Sequence, residues 1–205
     1  MARPLDIGKT VAATLAVAGV GAGLLWHLTA GLTLFTSESW RRDAIEKNPI
    51  ALPDVSLQDE QGQFFKLRSL CGQVMVLDFI YTQCPTICKS LGAISSQLAQ
   101  RWTQNGHPVT VLSISFDPAN DAPAQLADFK KRMETQASPW RLARPTQMKE
   151  SDQLLAVAGV VVIPDGMQGY DHNAALHIVN KDCRITQILD IEDIENAHRK
   201  IQSLL

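Results

Sequence analysis

The chain has 205 residues, a formal net charge of −2 and a hydrophobic fraction of 45%. That length suits one domain with appendages, and the slight acidity argues against a nucleic-acid partner, which asks for a basic face. Four cysteines are too few for a disulfide-stapled miniprotein, and their spacing is not that of a zinc ribbon.

Residues 1–10 read as an N-terminal tail. Residues 11–35 then carry no Asp, Glu, Lys or Arg. As a helix this run would be roughly 37 Å long, enough to cross a ~30 Å hydrocarbon core. A cleaved signal peptide is the competing reading, but the run is long for one and lacks a clear A-x-A site at its end. The expectation is an uncleaved transmembrane anchor, with Trp40, Arg41 and Arg42 at the membrane surface. Residues 36–52 read as a tether, charged and without clear periodicity, and residues 53–205 as the globular domain.

The domain opens with a predicted β-hairpin from Val55, turning near Gln61-Gly62. Val74 to Tyr81 is an apolar run interrupted only by Asp78, the pattern of a buried central strand. After Cys84 and Pro85, the residues Ile87, Leu91, Ile94, Leu98 and Trp102 recur at helical spacing, and Pro85 suits the first helical position. Val109 to Phe116 predicts a second core strand, Ala122 to Met133 a helix, Trp140 to Ala143 a short strand and Met148 to Val157 a helix. Val160 to Gly169 reads as a loop and Ala174 to Val179 as a strand that His172 begins. Ile185 to Leu189 is its hairpin partner, and Ile191 to Leu205 closes as an amphipathic helix. Strands alternating with helices predict an α/β fold.

Cys84 therefore sits at a strand-to-helix junction, where the helix dipole favours a thiolate. Cys88 follows at i+4, on the same helical face. Two thiols so placed can close a disulfide or hold a soft metal such as Cu(I); two buried, inert cysteines are the plain alternative.

The segment Phe79-Ile-Tyr-Thr-Gln-Cys84-Pro-Thr-Ile-Cys88 resembles the active-site motif of the Sco/SenC family. Ser115-Phe-Asp117-Pro118-Ala-Asn-Asp121-Ala-Pro123 is similar to the family's Asp-Pro turn, and Tyr170-Asp171-His172-Asn173 resembles the segment carrying its copper-binding histidine. The resemblance runs from about Pro53 to the C-terminus. It implies a thioredoxin-like fold and a copper site made by Cys84, Cys88 and His172. The implied activity is delivery of copper to the copper-binding subunit of cytochrome c oxidase, with a thiol reductant protein or another copper chaperone as further partners. The alternative is a thiol–disulfide oxidoreductase, with Cys84 as nucleophile and Cys88 as resolving thiol, that reduces the oxidase's copper-ligand cysteines. A peroxidase is disfavoured, because Tyr81 stands where the peroxidase pattern has Thr.

Other histidines compete for the third ligand. His27 lies in the span, His107 in a loop and His198 on a solvated helix face, while strand alternation puts His177 on the face opposite His172. Asp117 is either an outer-shell acceptor at the metal site or a turn-former before Pro118. Lys89 and Asn173 depart from the family pattern. So does Asp78, which stands six residues before Cys84 as a buried Asp does in thioredoxins. Burial raises a carboxyl pKa and fits Asp78 to accept a thiol proton.

In a thioredoxin-like sheet the strand after Cys71 and the strand before Cys183 are antiparallel neighbours. Cys71 and Cys183 are thus candidates for a structural disulfide, with two free buried thiols as the alternative. Flanking charges leave the orientation of the span open, whereas a working dithiol fits an oxidising space such as the periplasm.

Overall fold

A computed structural model describes residues 7–84, 87–104, 106–133, 139–166 and 169–205. The chain divides into two compact units, Met1–Ala44 and Ile45–Leu205. In the first, helix α1 runs Ile7–Leu28 and buries none of its residues. Its 22 residues are long and apolar enough to cross a membrane, at about 33 Å. The helix stops seven residues short of the apolar run's end at Phe35. Thr29 explains this: its hydroxyl donates to the Leu25 carbonyl at 2.6 Å and accepts from Leu32 N–H at 3.0 Å. Ala30, Gly31 and Leu32 then take left-handed backbone conformations, with φ of 46°, 76° and 66°.

Within the expected tether, residues 36–52, Ser37–Lys47 forms helix α2. Thr36 and Ser39 cap it reciprocally, each side-chain oxygen accepting the other's N–H at 3.0 and 3.1 Å, as in a capping box. Glu38 then binds Arg41 and Arg42 one turn on.

The second unit is built on an eight-stranded sheet of order β1-β10-β9-β4-β5-β6-β2-β3. Its strands are β1 (Ile50–Ala51), β2 (Ser56–Asp59), β3 (Phe64–Lys66), β4 (Val74–Ile80), β5 (Val109–Ser115), β6 (Arg141–Pro145), β9 (Leu176–Val179) and β10 (Arg184–Leu189). Strands β4, β5 and β6 are parallel, while β9 runs antiparallel to β4. Parallel neighbours need crossovers; helix α3 (Ile87–Gln104) makes the first and α4 (Pro123–Met133) the second. Pro85, expected as the first helical residue, lies outside the described residues. Helix α3 packs on β4 and β5, α4 and α5 (Met148–Ala158) on β6, and α6 (Ile194–Gln202) on β9 and β10. All seven residues of β4 are buried, which accounts for its nearly unbroken apolar sequence. Burial of Leu77 and of Ile80 contributes roughly 1.5–3 kcal/mol each.

Two expectations need correcting near the site. Val160 to Gly169 is not all loop: β7 (Val162–Pro164) pairs antiparallel with β8 (Tyr170–His172) in a separate two-stranded sheet. His172 therefore ends β8 instead of beginning the strand that contains His177. At the sheet's opposite end Cys71 and Cys183 are disulfide-bonded, with Cα atoms 5.3 Å apart. Met75 pairs with Val179 and Leu77 with His177; continuing that register four residues beyond Met75 sets Cys71 opposite Cys183.

Candidate metal and dithiol site

Cys84 follows the C-terminal end of β4, and Cys88 lies in the first turn of α3. Both are free thiols and both are buried, Cys88 completely. The Cys88 N–H donates to the Cys84 sulfur at 3.3 Å, so an otherwise unmatched donor at the helix start faces that sulfur. His172 reaches the pair from β8, its Nε2 3.6 Å from Cys88 Sγ. The two sulfurs and one imidazole nitrogen lie within 4.8 Å of one another. Two soft thiolates with one imidazole form a donor set suited to copper. Burial holds the His172 pKa below the usual histidine value, although the Asn173 backbone and the Asp171 carboxylate oppose this. A neutral ring keeps a lone pair for a metal. The Cys88 thiol is pushed up, first by burial and then by its hydrogen bond with Cys84.

The competing histidines are occupied elsewhere. His177 is buried, 3.1 Å from the Ala158 carbonyl through Nε2, and packs edge-on against Phe79. His198, expected in solvent, is buried at 5.3 Å from the Trp102 ring. His107 is exposed in its loop.

Asp78 is fully buried and accepts a hydrogen bond from Ser95 of α3. Its other oxygen, Oδ1, has no hydrogen-bond partner among the described residues. Burial pushes its pKa up to about 6, while Ser113, its register partner on β5, and Ser95 lower it. Its charge opposes a thiolate at Cys88.

Asp117 accepts two hydrogen bonds from Asn120 at 3.0 and 2.8 Å, and among the described residues none from Cys84, Cys88 or His172. This is the geometry of a turn-former. The second acid of that turn, Asp121, does more for the site. Buried to 1% exposure, it accepts from the Thr82 N–H at 3.0 Å and from the Thr82 and Ser115 hydroxyls at 2.5 Å each. Asp121 thereby fixes the chain two residues before Cys84. The Asp-Pro turn contained this residue, yet only its long-range partner reveals the role.

Cys84 and His172 open onto a cavity of about 620 Å³ whose walls include Tyr81, Ile87, Tyr170 and Ile191. Asp165, Asp171, Asp190 and Glu192 also line it. Among the described residues Cys84 lines it and Cys88 does not, so Cys84 is the more accessible sulfur.

The topology and the dithiol at the end of β4 define a thioredoxin-like protein with a histidine apposed to its cysteines. The chain belongs to the SCO1/SenC family, whose model matches residues 44–205. It is 27% identical over 173 residues to the SCO1 protein homolog of Bacillus subtilis, covering 83% of this chain and 89% of that one. Among solved structures it resembles BsSco, a member of the Sco family of cytochrome c oxidase assembly proteins. That likeness has TM-score 0.67 and 23% identity, over 77% of this chain and 94% of the other. The copper-bound ScoI of Arabidopsis thaliana matches at TM-score 0.64 and 18% identity, over 75% and 98% of the two chains.

Proposed function

We propose that the chain is a membrane-anchored copper carrier that binds copper through Cys84, Cys88 and His172 and passes it to a respiratory cytochrome oxidase. The observation that carries this reading is the approach of three donors from two distant segments to within 4.8 Å. Copper bound to the ScoI relative and the oxidase-assembly role of the Sco family support it. Three protein donors leave a coordination position for a recipient's ligand, which approaches through the cavity beside Cys84. The carboxylates lining that cavity favour cations. Helix α1 is the anchor, and the Cys71–Cys183 disulfide supports a periplasmic or equivalent oxidising space for the domain.

A second reading is favoured by Asp78 and by the one-sided access to Cys84. As a thiol–disulfide reductase, the Cys84 thiolate attacks a disulfide in a recipient protein and one recipient sulfur leaves as thiolate. Cys88 gives its proton to Asp78 and attacks Cys84, breaking the mixed disulfide and releasing the second recipient sulfur as thiolate. Water protonates both recipient sulfurs. The Cys84–Cys88 disulfide forms, and two electrons have reduced the recipient to a dithiol. Titration of the reduced full chain in detergent with Cu(I) and with Cu(II), against a competing chelator, separates the readings. Both readings allow one Cu(I) on the dithiol. The carrier also binds Cu(II), with an affinity that His172→Ala weakens, whereas a reductase alone shows no Cu(II) affinity that depends on His172.

A further inference from the structure

The hairpin carrying His172 lies outside the main sheet, so something other than ladder hydrogen bonds must set its position. Resting on the reading of His172 as the third donor, we propose that Tyr81 is a positioning residue that latches this hairpin to the dithiol face. The ladder shows why Tyr81 has a partner there. Asp165 N–H donates to the Gly169 carbonyl at 3.0 Å, and bonded and non-bonded pairs alternate in an antiparallel ladder. Pro164 and Tyr170 are therefore the non-bonded pair. Their register leaves the Tyr170 N–H and C=O pointing away from β7, and Pro164 has no N–H that would need an acceptor.

The Tyr81 hydroxyl meets both outward groups. Tyr170 N–H donates to it at 3.2 Å, and it donates to the Tyr170 carbonyl at 3.3 Å. One buried phenol at the end of β4, three residues before Cys84, thus completes the backbone two residues before His172. Gly169 leaves room for this approach, since a Cβ there would lie 3.2 Å from the phenol oxygen. Phe116 packs on the rings of Tyr81, Tyr170 and His172. Those contacts bury the hairpin's inner side without specifying where along β4 it sits. The Asn173 side chain bonds Gly159 and Val161, closing the segment on itself. The Tyr81 ring also stands edge-on to Tyr170 and His172, and the hydroxyl bonds add the directional tie between the hairpin and the end of β4.

Tyr81→Phe removes the hydroxyl and keeps the ring. In the full chain, Cu(II) affinity should fall by roughly five- to thirtyfold, the scale of one to two lost hydrogen bonds. Cu(I), held by two thiolates, should change less than about twofold. In the metal-free protein, exchange of the Tyr170 amide should accelerate by a similar factor, with the thermal midpoint nearly unchanged. Unaltered Cu(II) affinity and unaltered Tyr170 exchange would overturn the latch. Equal losses for both copper ions with a lowered midpoint would overturn it too, leaving Tyr81 a packing residue. If His172→Ala leaves wild-type Cu(II) binding intact, the ligand assignment itself fails, and the exchange measurement still decides whether Tyr81 holds the hairpin.

Discussion

His172 Nε2 lies 3.6 Å from the sulfur of Cys88, although 84 residues separate them. His177, five residues further on, is turned to the Ala158 carbonyl instead. Substituting His172 by Ala should weaken Cu(II) binding by at least about tenfold and Cu(I) binding much less, because two thiolates still hold the softer ion. His177→Ala should do the reverse: copper affinity stays, while stability falls by about 1–3 kcal/mol through the lost buried packing and hydrogen bond. Chelator competition for both ions on the full chain checks the pair.

Asp78 makes stability depend on pH in a defined direction. Its folded-state pKa is raised from 3.8 to about 6, so between those values the folded state binds more protons than the unfolded state. Its contribution to stability therefore falls as pH rises through that window, and the loss is complete above it. The shift corresponds to about 3 kcal/mol. Asp78→Asn keeps an acceptor for Ser95 and cannot ionise. Relative to wild type it should gain up to that amount between pH 4 and pH 7, and thiol–disulfide exchange near neutral pH should slow. Chemical denaturation across this range is the check, and parallel pH profiles for the two proteins would contradict the assignment.

The strong periodic elements were legible in the sequence. The apolar run of β4, the helical stripe from Ile87 to Trp102 and the turn at Gln61-Gly62 report local preferences that the sheet leaves intact. The signal failed where the deciding partner was remote or where the pattern was not apolar. Helix α2 is held by the Thr36–Ser39 cap and the Glu38–Arg ion pairs, which a search for apolar periodicity passes over. Strands β7 and β8 have three residues each, too short to show alternation. Their position depends on Tyr81, about 90 residues earlier, as the Cys84 loop depends on Asp121. The cysteine pair announced itself by spacing; the groups that orient its surroundings did not.

The Cys71–Cys183 bridge closes a separation of 112 residues. On the chain-entropy model such a loop stabilises by up to about 4–5 kcal/mol. Thiol titration of the unreduced chain in denaturant should count two free thiols, Cys84 and Cys88, rising to four after reduction. Cys183 has φ of 58°, a conformation that glycine adopts without steric cost. With the bridge already lost, Cys183→Gly should therefore be more stable than Cys183→Ser by about 0.5–1 kcal/mol. Equal stability of the two variants would contradict that account of the turn.

The most direct test of the central claim is the Cu(II) spectrum of the full chain in detergent. Copper held by Cys84, Cys88 and His172 should show thiolate-to-copper charge-transfer absorption together with paramagnetic-resonance hyperfine coupling to one imidazole nitrogen. His172→Ala should remove the nitrogen coupling and leave a thiolate band, whereas Cys84→Ala with Cys88→Ala should abolish the band. Imidazole coupling that persists without His172, or a wild-type spectrum with no thiolate band, would contradict the proposed site.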